Sequence, residues 1–124
     1  MEPNAISGEV VDAAIKVHSA LGPGLLEGAY HGCLVHELRK RKLKVRSQVL
    51  VPVVYDGFRI NLGYRIDLLV EDAIVVELKV VTKLLPIHHA QLLSYLRLSG
   101  HRIGLLLNFH VLRMKDCITR TVNG

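Results

Sequence analysis

The chain predicts an α/β (α+β) fold, a mixed central sheet with helices against it. Three observations predict it. Two segments of helical period open the chain, four short apolar runs divided by turn residues follow, and a third helical segment leads into a buried apolar run. At 124 residues the chain is large enough for one core and too short for two comfortable ones, so a single domain over residues 1–124 is expected.

The elements follow in order. From about Ser7 to Leu21, Val10, Ala14, Val17 and Leu21 repeat at helical spacing, and Gly22-Pro23-Gly24 ends the pattern. A second helix is expected from about Leu25 to Lys42, its basic end Arg39-Lys-Arg-Lys42 suiting the negative end of the helix dipole. Val45–Tyr55 and Phe58–Leu62 read as strands joined by the two-residue hairpin signal Asp56-Gly57, with Pro52 marking an edge or a bulge. Two further strands, Tyr64–Val70 and Ile74–Val80, flank the three-residue loop Glu71-Asp72-Ala73. Pro86 suits a first helical position, and that helix runs to about Leu98 and stops at Gly100. Ile103–Phe109 reads as a buried strand and Cys117–Val122 as a short last one.

Composition narrows the class. Half the residues are hydrophobic, mostly Leu, Val and Ile, which suits a packed α/β core better than disorder. Sixteen Lys and Arg against eleven Asp and Glu give a net charge of +5, which favours anionic partners such as nucleic acid. Cys33 and Cys117 have no metal-ligand spacing and read as small buried residues of a reduced compartment. No apolar run approaches the ~20 residues that cross a bilayer, so no membrane association and a cytoplasmic location are expected.

The chemistry sits in the two central strands. Pairing Val70 with Ile74 across the loop sets Asp67 opposite Glu77, where Cβ atoms lie roughly 4.5–5.5 Å apart and like charges destabilise a sheet. A positive group is therefore expected between them. Glu77 and Lys79 share a face, so a cation held by both carboxylates would lie near the lysine ammonium. Two carboxylates plus the carbonyl of Leu78 make a hard oxygen site of the kind that Mg²⁺ or Mn²⁺ occupies. The chemistry expected of such a site is phosphodiester hydrolysis, with Lys79 orienting or deprotonating the water and stabilising developing charge. Arg65 and Lys83 flank the set and are placed to touch a scissile strand, whereas the run Arg39, Lys40, Arg41, Lys42, Lys44 and Arg46 is open to phosphate contact or to being a solvated face.

These residues resemble the PD-(D/E)XK nuclease superfamily, whose signature is an acid, a hairpin, then (D/E)-X-K on the next strand. Asp67 and Glu77-Leu78-Lys79 match it, with Ile66 standing where the dispensable proline would be. The resemblance extends to the GxxExxY family through Gly24-Leu-Leu-Glu27-Gly-Ala-Tyr30 and its lead-in Val17-His18-Ser-Ala-Leu-Gly-Pro23. It also takes in Gly63–Val70, Gln91–Tyr95, Leu107-Asn-Phe109 and Ile118–Asn123.

The resemblance implies that Glu27 is the acid which the first core helix contributes to the metal site or its waters. It implies, too, that Gln91 and Tyr95 match the glutamine and tyrosine of the RecB-like branch, near the active site or the nucleic-acid backbone. An early-helix histidine of that branch would correspond to His18, although its spacing to Asp67 says nothing of geometry. Tyr30, three residues after Glu27, shares that helix face and is placed either to bond the carboxylate or to join the core. The expected protein is a small Mg²⁺-dependent nuclease acting on nucleic acid, DNA first, with homodimers common in the superfamily. Two rivals remain at this point: a non-catalytic nucleic-acid-binding or accessory protein with the same fold, and a structural domain in which Glu77 and Lys79 form an internal ion pair.

Overall fold

The computed structural model describes residues 1–124. Helix α1 spans Pro3–Leu21 and α2 spans Glu27–Lys40. The first starts a turn earlier than its apolar spacing suggests because Pro3 serves at its first position, where the missing N–H costs nothing. The second starts later than expected because Leu26 is extended, and Lys42 leaves the helix with φ 67°.

The expected strand over Val45–Tyr55 is two strands. β1 is Val45–Leu50 and β2 is Val53–Tyr55, and β2 pairs only with β3, Phe58–Ile60, as a separate hairpin. The break falls at Val51-Pro52, where proline has no N–H for a ladder and Val51 instead donates its own to the Tyr64 carbonyl at 2.8 Å. The remaining strands are β4 (Arg65–Val70), β5 (Ile74–Lys79), β6 (Ile103–Asn108) and β7 (Ile118–Val122), with helix α3 over Pro86–Ser99 and a 3₁₀ turn at Met114–Cys117. They form one sheet in the order β1-β4-β5-β6-β7, antiparallel except for β5 and β6. That parallel pair is joined through α3, as a parallel crossover requires.

Period-two alternation divides the core. Leu68, Val70, Val76, Leu78, Leu105 and Leu107 face α1 and α2, meeting Val10, Ala14, Leu34 and Leu38. Leu69, Val75 and Leu106 face α3, meeting Leu92 and Leu96. Each such side chain removed from water contributes about 1.5–3 kcal/mol, and burial on both faces explains why β6 reads as one apolar run. Gly104 on β6 lets α3 come close, since a Cβ there would lie 2.8 Å from Leu92 Cδ1.

One level of the sheet breaks the alternation. Val45 and Leu68 belong to the α1/α2 side, yet Val49 and Ile66, of the same parity on the same strands, pack on the α3 side. The register is unchanged, with Ser47 opposite Leu68 and Val49 opposite Ile66. Both strands therefore switch faces together, at Gln48 and Asp67. Gln48 has φ 54°, a left-handed backbone that turns β1 over at that level. No helix is long and apolar enough to cross a membrane.

Candidate active site

The turn Glu71-Asp72-Ala73 sets the register as expected, and β4 and β5 pair from Val70↔Ile74 to Leu68↔Val76. There the ladder stops. Asp67 and Glu77, next in line, do not pair through their backbones; their side chains fill the gap instead. Leu78 N–H donates to Asp67 Oδ2 at 2.8 Å, and Asp67 N–H donates to Glu77 Oε1 at 3.1 Å. On its other edge β5 keeps its pairing with β6 as far as Lys79↔Asn108. The sheet is thus continuous on one side of the acids and parted on the other. A strand residue directs its N–H and C=O to the same edge, so the Leu78 carbonyl also faces the parted side.

The positive group expected between the acids is not a side chain of this protein, for neither Asp67 nor Glu77 has an ion-pair partner. Lys79 Nζ instead donates to Gln91 Oε1 at 3.1 Å, and Gln91 Nε2 donates to the Tyr95 hydroxyl at 3.3 Å. The internal Glu77–Lys79 ion pair is therefore absent.

Glu77 is only 4 % exposed. Burial first, then the charge of Asp67, pushes its carboxyl up to about 9, while the Asp67 N–H and Lys79 pull the other way. Near neutral pH it holds a proton against Asp67. Glu27, the first residue of α2, is also raised, by burial and then by Asp67, and is opposed by Lys79 and His31. Glu27 and Asp67 line one cavity of about 300 Å³ together with Gly28, His31, Gly32 and Gln48. Nevertheless, no group of three or more His, Cys, Asp or Glu side chains is drawn together as a ready set of metal ligands. The donors are of the right type, hard oxygens crowded without a cation, but Asp67 and Glu77 now accept from backbone N–H groups.

Other expected residues fall in different places. Tyr95 is buried in the α3 core, leaving its hydroxyl to fix Gln91. Burial, then the charges of Glu77 and Asp67, raises its pKa. Arg65 and Lys83 are exposed and bond to no protein group through their side chains. Tyr30 does not bond Glu27: its hydroxyl donates to the Gly22 carbonyl at 2.6 Å and accepts from Leu25 N–H at 3.1 Å, and its ring stacks on Phe109. It closes the Gly-Pro-Gly turn that launches α2. His18 Nε2 bonds the Val111 carbonyl at 2.7 Å, away from the acids' cavity. His88 Nδ1 accepts from Leu85 N–H at the start of α3. Cys33, expected to be buried, is exposed on α2, and Cys117 is half-buried.

Part of the basic run is structural. Arg39 donates to the Val45 carbonyl, and Arg41 pairs with Glu37, Glu9 and Asp12 across α1 and α2. Sequence reasoning gave Asn108 no role, although it interrupts an apolar run and stands in the Leu107-Asn-Phe109 of the resemblance. Fully buried, it accepts from Val81 N–H at 3.1 Å and His110 N–H at 3.2 Å, and donates to the Val81 carbonyl at 2.8 Å. With Phe109 N–H on the Lys79 carbonyl at 2.9 Å, it ties the chain beyond Lys79 to β6.

A family model described as the PD-(D/E)XK nuclease superfamily matches residues 4–121. No curated protein and no solved structure gives a match. With nearly all of the chain matched, and with an acid on one strand and an acid and a lysine on the next at the parted end of a mixed sheet, the chain belongs to the PD-(D/E)XK nuclease superfamily.

Proposed function

We propose that the protein is an active, divalent-metal-dependent nuclease that hydrolyses phosphodiester bonds of nucleic acid, DNA first, and that its nearer kinship is with the GxxExxY proteins and the RecB-like branch. The observation that carries this reading is the pair Asp67 and Glu77: two carboxyls pressed together without a cation, beside a lysine that neutralises neither. An arrangement that costs stability in the free protein calls for a functional reason.

Asp67, Glu77 and the Leu78 carbonyl would hold Mg²⁺ or Mn²⁺, with Glu27 reached directly or through water. When bound, such an ion polarises a phosphoryl oxygen and lowers the pKa of water. Lys79 donates to the charge that develops on the phosphoryl group as the oxygen of water bonds to phosphorus and the ester P–O bond breaks. Gln91 keeps the ammonium aimed. Its amide is oriented by the Tyr95 hydroxyl, which accepts from Nε2 and so leaves Oε1 toward Lys79. Tyr95 thus acts through Gln91 rather than on substrate, while the unpaired Arg65 and Lys83 serve phosphates of the bound strand.

The test is degradation of labelled single- and double-stranded DNA and RNA with Mg²⁺ or Mn²⁺, using wild type, Lys79→Ala and Asp67→Ala prepared alike. Cleavage lost in both variants is expected. Binding of nucleic acid without cleavage on any substrate would transfer the protein to the non-catalytic, accessory class.

A further inference from the structure

The cavity beside Asp67 has no hydrophobic lining residue. A pocket for an apolar small molecule is lined mostly by hydrophobic side chains, so this one suits a ligand whose own surface is oxygen-rich. Three features of its walls stand out. Gln48 has a left-handed backbone without being glycine, a strained state for a side-chain-bearing residue. Gln48 lines the cavity, and its exposed amide makes no hydrogen bond to the protein. Gly32 lies inside α2, where glycine weakens a helix, yet a Cβ there would meet nothing within 4 Å, and the same is true of Gly28 one turn earlier. Neither packing nor backbone conformation requires these glycines. His31, between them, has its ring held by Ser47, with Nε2 3.3 Å from Oγ.

We infer that this cavity seats the sugar–phosphate unit next to the scissile bond, and that Gln48 and His31 are the groups that position it. The inference rests on the nuclease reading. Glutamine amides are among the groups that fix a nucleic-acid backbone without reading its sequence, and an imidazole N–H donates to a phosphate oxygen in the same way. The bare face of α2 at Gly28 and Gly32 allows a strand to approach the helix backbone, and the turnover of β1 at Gln48 brings the amide to the level of Asp67. Strain and lost helix propensity then fall where substrate contact gives them a use.

The experiment compares wild type, Gln48→Gly and Gly32→Ala by thermal unfolding and by steady-state cleavage of a labelled oligonucleotide of whichever class the wild type cuts. Glycine tolerates the left-handed backbone and alanine favours the helix, so both variants are expected to melt at or above the wild-type Tm. KM is expected to rise about tenfold in Gln48→Gly, the size of one hydrogen bond to a charged partner, with kcat changed less. In Gly32→Ala, KM rises as well. Wild-type KM in both variants, with Lys79→Ala inactive, would overturn this inference and leave the nuclease reading standing, as would a Gln48→Gly protein that melts below wild type. A wild type that neither cuts nor binds nucleic acid overturns both.

Discussion

Glu37 and Glu77 are the same residue type at nearly the same burial, 8 % and 4 % exposed, and they do opposite things. Glu37, on α2, accepts from Arg41 Nε at 2.9 Å and lies 3.5 Å from Lys16, while Arg41 reaches on to Asp12 and Glu9. That network is complete within the protein and fastens α1 to α2. Glu77, on β5, faces Asp67, and the nearest ammonium is bonded to Gln91. A buried charge is tolerable only when paired. The helix pair meets that condition from its own sequence; the strand pair meets it by holding a proton, and in the proposed enzyme by taking a cation. The first region is stabilising, whereas the second, in the proposed enzyme, gives up stability for chemistry.

Substitutions can separate the two regions. Lys79→Ala should lower cleavage by about 10²–10⁴-fold, as expected on losing a charge-stabilising or proton-handling group, while chemical denaturation shows little loss of stability. Equal losses of both would erase the distinction. Asn108→Ala removes the partner of the Val81 N–H, the Val81 carbonyl and the His110 N–H and should cost about 2–4 kcal/mol in a urea titration, three partly buried groups at roughly 1 kcal/mol each, the low end of the range because water reaches them. Activity per folded molecule should fall too, since the chain leaving Lys79 loses its anchor.

Arg41→Ala should cost about 1–3 kcal/mol, below the value for a fully buried pair because Arg41 and its partners are partly solvated. Cleavage per folded molecule should be unchanged in that variant. A cleavage defect would make the helix network part of the site.

Glu77→Gln is read through a slope, the dependence of stability on pH, rather than through a single value. The folded carboxyl titrates at about 9 against an ordinary 4.5, so the folded state holds its proton longer than the unfolded state. The stability linked to that proton is complete below about pH 4.5 and is lost as pH rises toward 9. In chelator, wild type should therefore weaken across this range, and Glu77→Gln should weaken less. Parallel pH profiles for the two proteins would remove the acid pair as the source.

Much of this architecture was legible because local chemistry and tertiary context agree. Glu71-Asp72-Ala73 with alternating neighbours fixes the β4–β5 register, and Pro86 and Gly100 bracket α3. Asp67, Glu77 and Lys79 were visible because charges interrupt apolar strands. What escaped has a physical reason in each case. The division of Val45–Tyr55 turns on Val51-Pro52, where one proline allows an edge, a bulge or a departure from the sheet. The turnover at Gln48 carries no glycine to announce it. Arg41 reads as one cation in a basic run because Glu9 and Asp12 lie some 30 residues earlier and meet it only when α1 packs on α2. Asn108 is hidden by the apolar run whose strand it serves.

The central claim is that Asp67 and Glu77 form a site completed by a cation from outside. Thermal unfolding of wild type and Asp67→Ala at neutral pH, each with chelator and with Mn²⁺, addresses it directly. Wild type should gain several degrees with saturating Mn²⁺, as a ligand bound only to the folded state requires, and Asp67→Ala should gain none. An equal shift in both proteins, or no shift in wild type, would contradict the claim.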